Sequence, residues 1–83
     1  MTQEQIEQRL CEEIATILKK DAASLDKAAS LRSNGLNSMT FIELLLAVER
    51  AWGLKLYEQN LPVSDTRTIR ALAARIRTEL SRG

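Results

Sequence analysis

Histidine is absent from the 83-residue chain, cysteine, proline, tryptophan, tyrosine and phenylalanine occur once each, and there are three glycines. Without histidine there is no ordinary Ser-His pair for nucleophilic catalysis. A single cysteine, Cys11, excludes an intrachain disulfide and a cysteine-based zinc site. The glycines, at 35, 53 and 83, are too scattered for a Gly-rich phosphate loop. No apolar run approaches the roughly 20 residues that span a membrane. The opening MTQEQIEQRL is polar and charged, unlike a secretory signal, so the cytoplasm is the expected compartment. Twelve basic residues against 11 acidic ones leave a net charge of +1. That balance argues against bulk attraction to nucleic acid or to an anionic membrane.

What is present suits one small globular domain, residues 1–83, with a modest core and no deep enclosed active site. The apolar fraction is 45% and the charged fraction 28%, ordinary for such a chain. From about Gln3 to Lys20, Ile6, Leu10, Ile14, Ile17 and Leu18 recur at helical spacing, with Thr2 as a plausible N-cap. Cys11 falls at the edge of that buried stripe and reads as a small core residue, with a reactive thiol as the other option. Asp21 to Asn37 is rich in Ala, Ser, Asp and Asn and reads as a long loop, pinned by Leu25 and Leu31. Loops of that length are usually functional or disordered. Asn34-Gly35 suits a turn that needs a positive φ.

A second helix is expected from about Ser38 to Trp52, stopped by Gly53. Phe41, Leu44, Leu45, Val48 and Trp52 form one face, and Met39, Ile42 and Leu46 fall beside it. The helix is therefore apolar over more surface than a core stripe requires, as a central or partner-facing helix would be. Leu54 to Val63 reads as irregular, with one short helical turn near Tyr57 to Leu61, ended by Pro62. The last helix follows Asp65 or Thr66 as N-cap, with Ile69, Leu72, Ala73, Ile76 and Leu80 as its apolar stripe and Arg67, Arg70, Arg75 and Arg77 on other faces. The arginines are spread around the helix, which counts against a nucleic-acid surface. The expected fold class is all-α, a four-helix bundle with three long helices and a short third one.

Glu12, Glu13, Glu43 and Glu49 sit at helical positions and read first as solvated surface. One segment carries more chemistry: Gly35-Leu36-Asn37-Ser38-Met39, a turn that leads directly into a helix. Ser38 falls where backbone N–H groups lack partners and the helix dipole is positive, so an attached anion such as a phosphodiester is favourably placed. Asn-Ser before an apolar run is equally an ordinary N-cap, and these five residues alone leave both readings open.

The wider stretch, LRSNGLNSMTFIELLLAVERAWGLKL at 31–56, resembles the phosphopantetheine-dependent carrier-protein family of fatty-acid, polyketide and peptide synthesis. That family has a Gly-Leu-Asp-Ser-Leu core followed by a helix with Glu-Leu, a second Glu and a closing Gly. Gly35, Leu36, Ser38, Glu43, Leu44, Glu49 and Gly53 match in register, and Leu31 and Thr68-Ile69-Arg70-Ala71-Leu72-Ala73 also look like the family's loop and last helix. The resemblance implies a freestanding acyl or aminoacyl carrier that catalyses nothing itself. It implies a 4′-phosphopantetheine arm, taken from coenzyme A, on Ser38, with cargo held as a thioester. The implied partners are a phosphopantetheinyl transferase, which with Mg²⁺ supplies the base, an adenylating or acyltransferase loading enzyme, and downstream synthase or tailoring enzymes. Asn37, Met39, Glu43, Leu46 and Glu49 are the implied partner contacts. No nucleic-acid, membrane or metal partner is expected, and the expected state is a monomer.

The chain departs from the pattern in four places. Asn37 replaces the usual Asp before the serine, removing a charge that helps the modifying transferase recognise a carrier. Met39 replaces Leu at nearly equal volume. Asn34 replaces an apolar residue before the glycine, and Arg50 interrupts the acidic end of the second helix. With a net charge of +1, these features set the chain apart from the acidic carrier of housekeeping fatty-acid synthesis and suggest a specialised natural-product pathway. Two alternatives stay open: a D-alanyl or peptidyl carrier, or a helical interaction module without a prosthetic group. Mobility is expected in the Asp21–Asn37 loop and in the short third segment.

Overall fold

The computed structural model describes residues 1–82. Three α-helices carry the fold: α1 (Gln3–Leu18), α2 (Ser38–Trp52) and α3 (Ile69–Arg82). Among the described residues there is no strand, only one isolated antiparallel bridge between Ser30 and Thr68. The all-α bundle expected from the sequence is the one the chain forms.

α1 begins at a reciprocal cap. Thr2 Oγ1 accepts from Gln5 N at 3.1 Å and Gln5 Oε1 accepts from Thr2 N at 2.9 Å, which satisfies two otherwise unpaired donors. The helix ends at Leu18, the last residue of its apolar stripe and two residues before the Lys20 end expected from the sequence. Lys19 takes the left-handed conformation (φ 57°) and turns the chain out. Ile6, Leu10 and Ile14 are fully buried, and Cys11 joins them at 2% exposure. Burial raises the Cys11 thiol pKa above its ordinary value, so the side chain behaves as a small apolar core group.

α1 packs on both α2 and α3. The shared core consists of Ile6, Leu10 and Ile14, of Leu44, Leu45 and Val48, and of Ile69, Leu72, Ala73 and Ile76. Each fully buried Leu or Ile contributes about 1.5–3 kcal/mol relative to exposure. Phe41 and Trp52, at the two ends of the α2 stripe, are only partly buried. Three leucines from the connections, Leu31, Leu36 and Leu56, complete the core. At the outer edge of α1, Glu7 is 6% exposed; it accepts from Gln3 at 2.8 Å and faces Lys27 and Arg70 at 3.9 Å each.

The short third helix is expressed as two 3₁₀ turns, Leu56–Glu58 and Val63–Thr66. Between them Gln59 is extended (ψ 152°), and Pro62, which has no N–H and biases the residue before it away from the α region, keeps the two turns from merging. The cap of α3 is also displaced. Thr68, not Asp65 or Thr66, receives the first-turn N–H, with Ala71 N donating to Thr68 Oγ1 at 3.0 Å. Asp65 is engaged elsewhere, accepting from Arg75 at 3.0 Å, and Thr66 donates to the Val63 carbonyl at 3.1 Å.

Candidate functional site

The α1–α2 connection is ordered by a side chain that the sequence pattern marks as irregular. Asn34 is 5% exposed and makes three hydrogen bonds: it accepts from Asp26 N at 2.8 Å and donates to the carbonyls of Asp26 (2.9 Å) and Ser30 (3.0 Å). A leucine in its place would leave Asp26 N without an acceptor, since the two carbonyls also accept from the backbone N–H groups of Ala29 and Asn34, which accounts for a polar residue there. Next in sequence, Gly35 has φ 106°, a region L side chains rarely adopt. A Cβ there would also meet Lys20 Nζ at 3.0 Å and Leu18 Cδ1 at 3.3 Å. Lys20 Nζ sits there because it donates to the Asn34 carbonyl at 2.9 Å. Leu31 and Leu36, each 5% exposed, fix the loop ends on the core, and Leu36 N donates to the Leu31 carbonyl at 3.1 Å.

That geometry delivers Asn37 and Ser38 to the surface at the start of α2. Asn37 is the N-cap. Its Oδ1 accepts from Thr40 N at 3.0 Å, and Thr40 Oγ1 accepts from Asn37 N at 2.7 Å. Two of the four unpaired donors of the helix start are thereby satisfied, and the N–H groups of Ser38 and Met39 remain open. Ser38 is the first helical residue, is exposed, and has no hydrogen-bond partner for its hydroxyl among the described residues. Capping by Asn37 thus frees the serine from that task.

Beside Ser38 lies an open groove of about 400 Å³. Leu31, Leu36 and Phe41 give it an apolar base, and Arg32, Asn37 and Thr66 stand at its rim. Thr66 belongs to the second 3₁₀ turn, so the two connections of the fold meet here. No carboxylate occurs in the sequence between Asp26 and Glu43, which leaves the Ser38 end without acidic groups of its own loop. Among the described residues no group of three His, Cys, Asp or Glu side chains is placed to hold a metal ion, and no helix is long and apolar enough to cross a membrane.

The candidate contact residues divide. Met39 (75% exposed), Glu43 and Leu46 (46%) share one stripe of α2 at spacings of four and three, with Ile42 (57%) beside them. Glu49, three residues past Leu46 on the same side of α2, is partly buried and accepts a 2.9 Å hydrogen bond from Tyr57. That bond raises the Tyr57 pKa above the usual phenol value. Arg32 and Thr66 were not singled out by the sequence, because each is one residue in a polar stretch and only the fold brings them to the groove that Ser38 lines. Arg75, expected on a solvent face of α3, is instead half-buried at the centre of a network. It donates to Gln59 Oε1 at 2.7 Å and Asp65 Oδ2 at 3.0 Å, and lies 3.4 Å from Glu79.

A protein-family model described as a phosphopantetheine attachment site matches residues 8–76. The match spans all of α2, both connections and most of the two flanking helices. No curated protein matches the chain.

Proposed function

The chain belongs to the phosphopantetheine-attachment family, and we propose that Ser38 is its attachment point and that it carries a specialised acyl or aminoacyl unit. As a member it bears a covalent 4′-phosphopantetheine and serves phosphopantetheinyl transferase and partner enzymes as a carrier. Membership favours this over a helical interaction module without a prosthetic group. The observation that carries the assignment to Ser38 is its exposed hydroxyl, unpartnered at the first turn of α2.

The residues present fit the group. The Ser38 oxygen replaces one side of the coenzyme A pyrophosphate link: a new O–P bond forms, adenosine bisphosphate leaves, and the hydroxyl proton passes to a base on the transferase. Free N–H groups at Ser38 and Met39 and the helix dipole favour the negative phosphodiester. When bound, the arm supplies a terminal thiol that holds cargo as a thioester. Asn37 keeps the cap of the usual Asp without its charge, which favours a transferase that tolerates a neutral residue there. Met39, Glu43 and Leu46 form the partner-facing stripe, and Glu49 contributes through its hold on Tyr57. The near-neutral balance of charge and the uninterrupted absence of acid around Ser38 favour a natural-product pathway over housekeeping fatty-acid synthesis. D-alanyl and peptidyl carriers remain within the same class. The protein acts as a monomer in the cytoplasm in this reading.

Incubating the protein with coenzyme A and a broad-specificity transferase, followed by intact-mass measurement, tests the assignment. One added phosphopantetheine, lost in Ser38→Ala, is the expected outcome. Modification that survives in Ser38→Ala would move the site elsewhere.

A further inference from the structure

Arg32 lines the groove beside Ser38, and its guanidinium has no ion pair and no hydrogen bond among the described residues. Of the other cations around the connections, Lys20 is committed to the Asn34 carbonyl, Lys27 to Glu7 and Arg75 to Asp65, while Lys55 and Arg67 lie outside the groove lining. Asp65, the residue before the groove's Thr66, has its carboxylate on Arg75 at 3.0 Å, so it is not turned to Arg32 as a partner. No carboxylate lies between Asp26 and Glu43. The groove therefore holds one positive charge and nothing negative to meet it.

A phosphodiester on Ser38 brings a full negative charge into the same groove. We propose that Arg32 is its counter-ion, donating charge-assisted hydrogen bonds to the non-bridging oxygens and holding the first segment of the arm along the groove. Arginine suits this role because its planar fork matches a phosphate. This inference rests on Ser38 being the attachment point. The site is exposed, so the preference for a held over a free arm is roughly two- to five-fold, the size of one surface ion pair, and it is screened by salt.

The test uses the modified wild-type protein and the modified variants Arg32→Gln, Arg32→Lys and Arg67→Gln. Arg67 is exposed and next to Thr66 but outside the groove lining, so its removal changes charge without touching the contact. Intact mass first confirms one arm on each; no gain on wild type would overturn the Ser38 reading and this inference with it. Phosphorus NMR then follows the phosphodiester resonance during a salt titration. In wild type the resonance moves as salt rises. In Arg32→Gln it begins at the high-salt position, Arg32→Lys lies between, and Arg67→Gln follows wild type. The Arg32 Nε–H proton resonance shifts on modification, and its shift disappears in high salt. Coincident resonances for wild type and Arg32→Gln in low salt would overturn the proposal, and so would an equal displacement by Arg67→Gln, since that reports a general field rather than a contact.

Discussion

The two long connections of this fold do the same job by different means. The first, between α1 and α2, is held from inside: Asn34 is a neutral, buried hub for Asp26 and Ser30, and Leu31 and Leu36 fasten its last stretch to the core. The second, between α2 and α3, is held from outside. Leu56 plugs the core at 0% exposure, and the rest is drawn onto α3 by Arg75, through Gln59 and Asp65, and onto α2 by the Tyr57–Glu49 bond. Neutral buried hydrogen bonds hardly respond to ionic strength, whereas partly exposed ion pairs do. The Asn34 hub behind Ser38 thus responds little to ionic strength, with only Lys20 on the Asn34 carbonyl and the long Lys27–Glu7 pair adding charged contacts to its connection, whereas the loop that forms the facing wall of the groove leans on ion pairs that salt screens.

The largest expected effect tests the apolar half of the second loop. Leu56→Ala should cost about 3 kcal/mol in urea unfolding, as a buried leucine truncation does. A much smaller loss would mean that the polar contacts alone hold that loop. Next, Asn34→Ala removes three hydrogen bonds and leaves Asp26 N without its acceptor, for about 2 kcal/mol, with a cost that stays constant from low to high salt. A salt-dependent cost would break the contrast between the loops. Gly35→Ala should cost about 1–2 kcal/mol, through its positive φ and the close approach of Lys20 and Leu18. Arg75→Met should cost about 1 kcal/mol, with faster amide exchange at residues 57–66 and no change at 26–36; high salt should mimic it in wild type. Equal acceleration in both loops would sink the distinction.

The smallest effect is on the single tyrosine. Its phenol donates to Glu49, which raises its pKa. Because the protonated form is the one bonded, the contribution to folding is present below the normal phenol range and is lost as pH rises through the raised value. Glu49→Gln should lower the Tyr57 midpoint in an ultraviolet alkaline titration, and an unchanged midpoint would remove Glu49 as a tether of the second loop.

Much of the architecture can be read directly from residue spacing. The stripes of α1 and α3, the Thr2 cap and the stops at Gly35 and Gly53 follow from local geometry, because periodicity and positive φ are properties of a few neighbouring residues. The Ser38 region was legible through a longer register, from Gly35 to Gly53. The α3 cap was not. Asp65, Thr66 and Thr68 are all good capping residues; Asp65 is taken by Arg75, ten residues away, Thr66 closes its own 3₁₀ turn on Val63, and Thr68 receives the first-turn N–H. The interiors of both connections were equally hidden. An asparagine in a loop and an arginine on a polar face look alike in sequence whether they are solvated or half-buried hubs.

The sequence by itself determined that this chain is a small helical bundle and that a serine stands at the mouth of its second helix, since both depend on spacing within one segment. The tertiary structure decided what surrounds that serine. Thr66 arrives from a turn 28 residues further along, and Arg32 stands in the same groove without a partner. Those neighbours are set by which side chains win the buried polar contacts, a competition between distant segments that only the packed chain can resolve.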